Sequence, residues 1–369
     1  VTRRILAIFV VLAGLAAAQR LQPVIDPETR EGLLIQQIQQ ERDPAARIRL
    51  LESFSVQYPS HASAPWVYDQ LFPAYLKEGN FARALVAGEI LLGLFPDDLN
   101  YANGVLQAAV GKNDAAKLAQ HAATAWDLAE KQMAGQENPP ALAVNLRNYA
   151  EYCLFLLASQ TADPKQRLAQ FQALERRNPH TSYLPLIQVE YFQLYRKLGQ
   201  MEKALAIAEK ATTTGAGGED MMVALLDYYF ARGDSNERVA QLSAKLIDRL
   251  NARTNAPEHL SQEEWERRRA TMLSNAYYMG GMANSLLGRY ATADRYLRAA
   301  LPALRNSGAQ QAAVLYHLGL ANYKLAENGE KGRVPEAIKY SELCASIPST
   351  YQDQAAKNVI AIKAAYNIR

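Results

Sequence analysis

The chain predicts an all-α fold, a solenoid of helical hairpins, and three observations carry that expectation. Amphipathic helices come in pairs: Leu71–Phe72–Pro73–Ala74–Tyr75 is followed by Gly79–Asn80–Phe81, then Ala84, and closes at Pro96. Gly199 and Gly233 each end a Tyr-bearing helix and stand 34 residues apart, a period characteristic of stacked helix pairs. The 369 residues are 49% hydrophobic and 21% charged, with no long Val/Ile/Thr runs that would argue for strands. Length alone would suggest two or three globular domains. A repeat array escapes that prior, because each unit packs only on its neighbours.

Residues 1–19 stand apart. Arg3 and Arg4 precede an apolar run from Ile5 to Ala18, and Ala16–Ala17–Ala18–Gln19 supplies small residues for cleavage. That is the layout of a secretory signal peptide, and the run is short of the about 20 residues a membrane span needs. An exported chain, periplasmic or extracellular, without a stable span after cleavage is therefore expected; a retained anchor is the weaker alternative. Residues 20–27 read as a linker. The whole chain carries a net charge of +3, two of it from the arginines of the leader. So near to neutrality, nothing points to nucleic acid as a partner.

The helix starts follow from their chemistry. Asp26–Pro27, Asp43–Pro44 and Asp163–Pro164 pair an N-cap carboxylate with a proline whose missing N–H costs nothing in a first turn. Ser261 with Glu264 is a capping-box signature. From these signals the hairpins run at about 28–59, 65–96, 97–133, 141–179, 183–216, 218–252, 261–306 and 309–348. They group as 28–179, 183–252 and 253–348. A helix at 351–367 caps the last open face, as terminal units must. Gly233 and Gly288 are 55 residues apart. An insertion is therefore expected near 251–271, with a loop at Arg253–Pro257 and a charged run at Ser261–Arg269. A smaller excess falls around Glu327–Arg333. Gly215–Ala216–Gly217–Gly218 lacks the strand and the Lys–Ser/Thr of a phosphate loop and reads as a helix terminator.

The spacing resembles the tetratricopeptide repeat (TPR) family. Tyr68, Leu71, Tyr75, Gly79, Phe81, Ala84 and Pro96 sit where that unit wants them, as do Gly104, Gly111, Ala116 and Ala123. Tyr191, Tyr195, Gly199, Ala204, Ala208 and Ala211 mark another copy. Further copies are marked by Tyr277, Gly281, Gly288, Tyr290, Ala293, Leu297 and Ala300, and by Leu315, Leu318, Gly319, Ala337 and Cys344. The hairpins at 28–59 and 141–179 keep mainly their closing prolines. The resemblance implies a right-handed α-solenoid of about eight TPR-like hairpins with a C-terminal capping helix, and a non-catalytic scaffold that binds a protein or peptide in its concave groove. Carried over position by position, it puts Trp66, Tyr101, Gln193, Arg196, Asp227, Phe230, Tyr278, Ser285, Tyr316, Tyr323 and Lys324 on the groove wall. Tyr278, Tyr316 and Tyr323 would form an aromatic patch there; ordinary packing between repeats is the competing reading. The Lys/Asn carboxylate clamp of some family members is missing: its places hold Asp69 and Pro73, Val189 and Gln193, Val223 and Asp227.

No catalytic constellation is visible, so no enzyme and no cofactor are expected. The five histidines, His61, His121, His180, His259 and His317, fall into no metal-ligand spacing. Nucleophile-elbow and phosphate-loop motifs are absent. Cys153 and Cys344 would lie several repeats apart, which favours buried, unpaired thiols over a disulfide. The run Glu263–Arg269 reads as solvated helix surface with its charges ordered along the helix dipole; a docking extension with Trp265 as exposed anchor is the alternative. The 20 Tyr against 9 Phe leave a second functional reading open, a small-molecule or glycan-binding solenoid.

Overall fold

A computed structural model describes residues 21–215, 217–257, 260–304 and 307–368. The leader at 1–19 lies outside them, as do Ala216 and His259. The described residues hold seventeen α-helices and no strand. They fall into two compact units, and the chain passes from one to the other between Thr181 and Ser182.

The first unit contains α1 (Arg30–Gln40), α2 (Pro44–Gln57), α3 (Ala64–Lys77), α4 (Phe81–Leu94), α5 (Leu99–Lys112), α6 (Ala115–Met133), α7 (Ala141–Gln160) and α8 (Pro164–Arg177). Consecutive helices pack as antiparallel pairs, and the first helix of one hairpin also touches the first of the next: α3 meets α5, and α5 meets α7. That second contact is what makes a run of hairpins a solenoid rather than a set of separate pairs. The caps account for the starts. The Asp43 carboxylate accepts from the Ala46 amide at 2.9 Å, and that of Asp163 from the Gln166 amide at 2.7 Å, each ahead of a proline in the first turn. Asp26 does something else. Its carbonyl accepts from Thr29, whose hydroxyl caps α1, so Asp26–Pro27 closes a turn ahead of the helix.

Steric fit sets the hairpin crossings. Phe72, 5% exposed, is wedged against two glycines on neighbouring helices, Gly88 on α4 and Gly104 on α5. Trp66, Leu71, Tyr75, Ala84, Leu91, Val105 and their neighbours complete that core. Ser63, fully buried, holds the chain ahead of α1: it accepts from the Val24 amide at 2.8 Å and donates to the Val24 carbonyl at 3.1 Å.

The second unit contains α9 (Leu184–Lys197), α10 (Met201–Thr213), α11 (Glu219–Arg232), α12 (Asn236–Ala252), α13 (Gln262–Leu286), α14 (Tyr290–Ala300), α15 (Gly308–Glu327), α16 (Val334–Ala345) and α17 (Gln352–Ala365). Here α11 touches α13, α13 touches α15, and α17 packs on α16 and α15. Gly199 and Gly233 both take φ of +71°, the left-handed conformation that lets a helix stop and the chain reverse at little cost. The small residues of the repeat lie at the crossings: Ala204, Ala208, Ala293, Ala300 and Ala337 are each fully buried.

Both insertions have a structural use. The excess after Gly233 lengthens α13 to 25 residues against 11 in its partner α14, with the Ser261–Glu264 capping box at its head. Trp265 is not an exposed anchor. It is 2% exposed in the core of this unit, with the Arg253 guanidinium 5.2 Å above its ring. The surrounding charges are exposed apart from the half-buried Arg269, and the exposed Arg268 pairs with Asp220 of α11. The excess in the last hairpin ends in a short 3-10 turn, Lys331–Arg333, and delivers Arg333 to Asp294 at 3.1 Å. Arg298 at 2.8 Å and the fully buried Asn322 at 2.7 Å complete the partners of that carboxylate.

Both cysteines are free and buried, at 2% exposure for Cys153 and 0% for Cys344. Among the described residues no helix is long and apolar enough to cross a membrane.

Candidate functional site: a groove on the first helices of the second unit

The groove is built by α11. Its sequence divides cleanly by helical period. Met221, Met222, Leu225 and Leu226 turn into the core, while Asp220, Val223, Ala224, Asp227 and Tyr228 share the other face. Glu219 and Asp220 occupy the first turn and Arg232 the last, as the helix dipole favours. The second face lines an open cavity of about 860 Å³, walled by Gln193 and Arg196 of α9, by Met201 and Leu205 of α10, and by Arg268 and Met272 of α13.

A smaller cavity of about 190 Å³ adjoins it, sharing Gln193, Asp220, Arg268 and Met272. Its lining is mostly apolar, with Phe192, Met221, Leu260 and Trp265 among the walls. The charges at its edge are already matched. Glu219 accepts from Arg253 at 3.1 Å and faces Arg249 at 3.3 Å. Burial opposes ionisation of Glu219, but its own backbone amide and the two guanidinium groups outweigh that and hold the carboxyl below its ordinary range.

Asp227 is different. Its carboxylate makes no hydrogen bond to the described residues, although it is solvent-accessible in the larger cavity. Loss of hydration to the cavity walls raises its pKa, and the attraction of Arg196 only partly offsets this. Arg196 itself lies 5.4 Å over the Phe192 ring. Tyr228 takes a hydrogen bond from Arg232 at 2.7 Å and keeps 38% of its surface exposed; Met201 keeps 48%.

Of the residues expected on a groove wall, Gln193, Arg196 and Asp227 come together here. Phe230 and Tyr278 meet edge to face at 5.5 Å, and Tyr316 stacks at 4.8 Å on Tyr351. Tyr351 precedes α17 and lies close enough to Tyr278 to raise its phenol, after burial. The aromatic strip is thus Phe230, Tyr278, Tyr351 and Tyr316. Tyr323 belongs elsewhere, in a small cluster with Ile338 and Tyr366, with Lys324 over its ring and paired to Glu327 at 2.8 Å.

Three of the expected wall residues are buried. Trp66 is 1% exposed, because the start of α3 lies under its neighbours and a large apolar ring fills that space. Tyr101 is 8% exposed and donates to Asp69 at 2.7 Å. Ser285 is 4% exposed, within 2.8 Å of Nδ1 of the buried His317. Val223, at a place of the missing clamp, also lines the cavity, as do Asp220, Ala224, Tyr228, Arg268 and Met272, which the register did not single out. Asp220, Ala224 and Tyr228 could have been found from the period of α11, and Arg268 from the charged run. Among the described residues no group of three or more His, Cys, Asp or Glu is placed to hold a metal.

The hairpins resemble the tetratricopeptide repeat in their paired helices, in the left-handed glycine of several turns, in the small residues at the crossings, and in the first-helix contacts of α3 with α5, α5 with α7, α11 with α13 and α13 with α15. No family model and no curated protein sequence matches the chain. Among solved structures, a tetratricopeptide repeat protein from Parabacteroides merdae is 14% identical, over 79% of this chain and 98% of its own, with a TM-score of 0.26. The P58(IPK) TPR domain is 10% identical, over 92% of this chain and 99% of its own, with a TM-score of 0.25. Overlaps that loose add nothing to the fold, which the chain's own hairpins define.

Proposed function

We propose that the protein is a non-catalytic interaction scaffold of the cell envelope, and that it holds a segment of a partner protein in the groove along α9, α11 and α13. The observation that carries this reading is the face of α11. Five residues in helical register line an open cavity, and the exposed Asp227 among them has no hydrogen bond to the described residues. An exposed carboxylate without a hydrogen bond to the fold can accept one from a bound ligand. The leader-like segment at 1–19 supports export.

The test is in-cell photo-crosslinking with a benzophenone amino acid in place of Tyr228, and in place of the exposed Val86 as control. A partner captured from position 228 and not from 86 is expected; equal capture from both would overturn the groove assignment. Residues 1–40 fused to a phosphatase active only outside the cytoplasm should give activity, and an inactive fusion would remove the envelope. A second reading, a glycan ligand, is favoured by the strip of Phe230, Tyr278, Tyr351 and Tyr316, since aromatic faces stack on sugars. A saturable thermal shift with peptidoglycan fragments, lost in Tyr278→Ala, would replace the first reading by this one.

A further inference from the structure

We propose that the groove of the second unit selects an extended peptide with one apolar anchor residue and, about three residues away, a lysine or arginine that pairs with Asp227. The inference rests on the scaffold reading and gives its ligand a chemistry.

The anchor site is the smaller cavity. At about 190 Å³ it is below the usual size of a small-molecule pocket and suits a single apolar side chain. Phe192, Met221, Leu260, Trp265 and Met272 provide apolar wall, and the charges beside it are neutralised from within. Glu219 is held by Arg249 and Arg253, and Asp220 by Arg268. Among the described residues, what that end of the groove still offers a ligand is apolar surface.

The other end offers a charge. Asp227 is the groove carboxylate without a hydrogen bond among the described residues, flanked by the apolar Val223, Ala224 and Leu205. Arg196 attracts it, but its guanidinium lies over the Phe192 ring. An ammonium or guanidinium from a ligand would bring both the opposite charge and the missing donors. Its apolar stem would lie on Met201 and Tyr228, both substantially exposed.

The geometry sets the spacing. Asp220, at the shared wall, and Asp227 are two turns apart on α11, about 10 Å at 1.5 Å per residue. One turn of polyproline II covers three residues in about 9 Å and presents positions i and i+3 on the same side. An apolar residue and a basic residue three apart would reach both ends together.

The experiment presents the full chain to a microarray of random dodecapeptides, beside an Asp227→Arg variant whose melting temperature confirms folding. Wild type should enrich peptides with a Leu, Ile, Met or Phe three residues from Lys or Arg. The variant should lose at least about tenfold in affinity for those peptides and shift to acidic ones. Enrichment of acidic or uncharged peptides by wild type, or a selection unchanged by Asp227→Arg, would overturn the inference and leave the scaffold standing. If no peptide is retained and photo-crosslinking at Tyr228 also captures nothing, both fall.

Discussion

Phe72 gives a demanding test of the packing in the first unit. A Cβ added to Gly104 would lie 2.5 Å from Phe72 Cζ and 2.7 Å from Cε1; one added to Gly88 would lie 2.6 Å from Phe72 Cε2 and from Val105 Cγ2. Relaxed carbon contacts are about 3.5–4.0 Å, so roughly 1 Å must be found, and a ring only 5% exposed has little room to retreat. Gly104→Ala gains about 1 kcal/mol of helix propensity. Overpacking costs about 1–3 kcal/mol, so a net loss of up to about 2 kcal/mol is expected. Phe72→Leu removes the colliding ring edge. In that background the same glycine change should be neutral or stabilising by up to about 1 kcal/mol, a coupling within the range for touching residues. The assay is denaturant unfolding followed by tryptophan fluorescence. The chain has three tryptophans, two of them, Trp66 and Trp126, in the first unit. A Trp265→Phe background therefore confines the signal to that unit. If Gly104→Ala changes stability equally with Phe72 present and in the Phe72→Leu background, the wedge does not exist as described.

Ala204, fully buried at the crossing of α9 and α10, should lose about 1–3 kcal/mol as Ala204→Leu; an unchanged melting temperature would disprove the register. His317 is 6% exposed, and burial pushes its imidazole down to about 4. Below about pH 6.5 the unfolded chain takes up a proton that the native chain refuses. Stability fully present above that pH should therefore fall by about 3 kcal/mol as pH drops toward 4, and calorimetry of His317→Asn should show a shallower decline. Burial pushes the Cys153 thiol up to about 12, despite a hydrogen bond from Tyr149, and that of Cys344 up to about 11. Neither should react with a disulfide reagent near neutral pH until the chain is denatured; prompt labelling of the native protein would contradict their burial.

Periodicity made the hairpins legible because each depends on neighbours close in sequence. The Gly199 and Gly233 turns, the Asp43 and Asp163 caps and the Ser261–Glu264 box all act within one helix end. The groove was legible only in part. A repeat register tells which face of a helix is turned from its partner, and Gln193, Arg196 and Asp227, placed that way, line one cavity. It cannot tell whether another element covers that face, which is why Trp66, Tyr101 and Ser285 were expected outside and lie inside. Tyr351 and Arg268 reach their neighbours from outside the periodic positions, and aperiodic segments leave no spacing from which to infer a contact. Trp265 shows the same limit: a charged run gave no sign that its one large ring would be tucked beneath Arg253.

The overhang of α13 has a consequence for how such a protein changes over time. Its first turns face α11 and the loop behind them, while its last turns hold α14 and α15, so opposite ends of one rod serve different duties. In the leading half the exposed Glu263, Glu266 and Arg267 can vary, whereas Trp265 and Met272 are held by the core, as the trailing half is held by the stack. An extra stretch of sequence that breaks the rhythm thus adds both core and exposed surface at the same helix end.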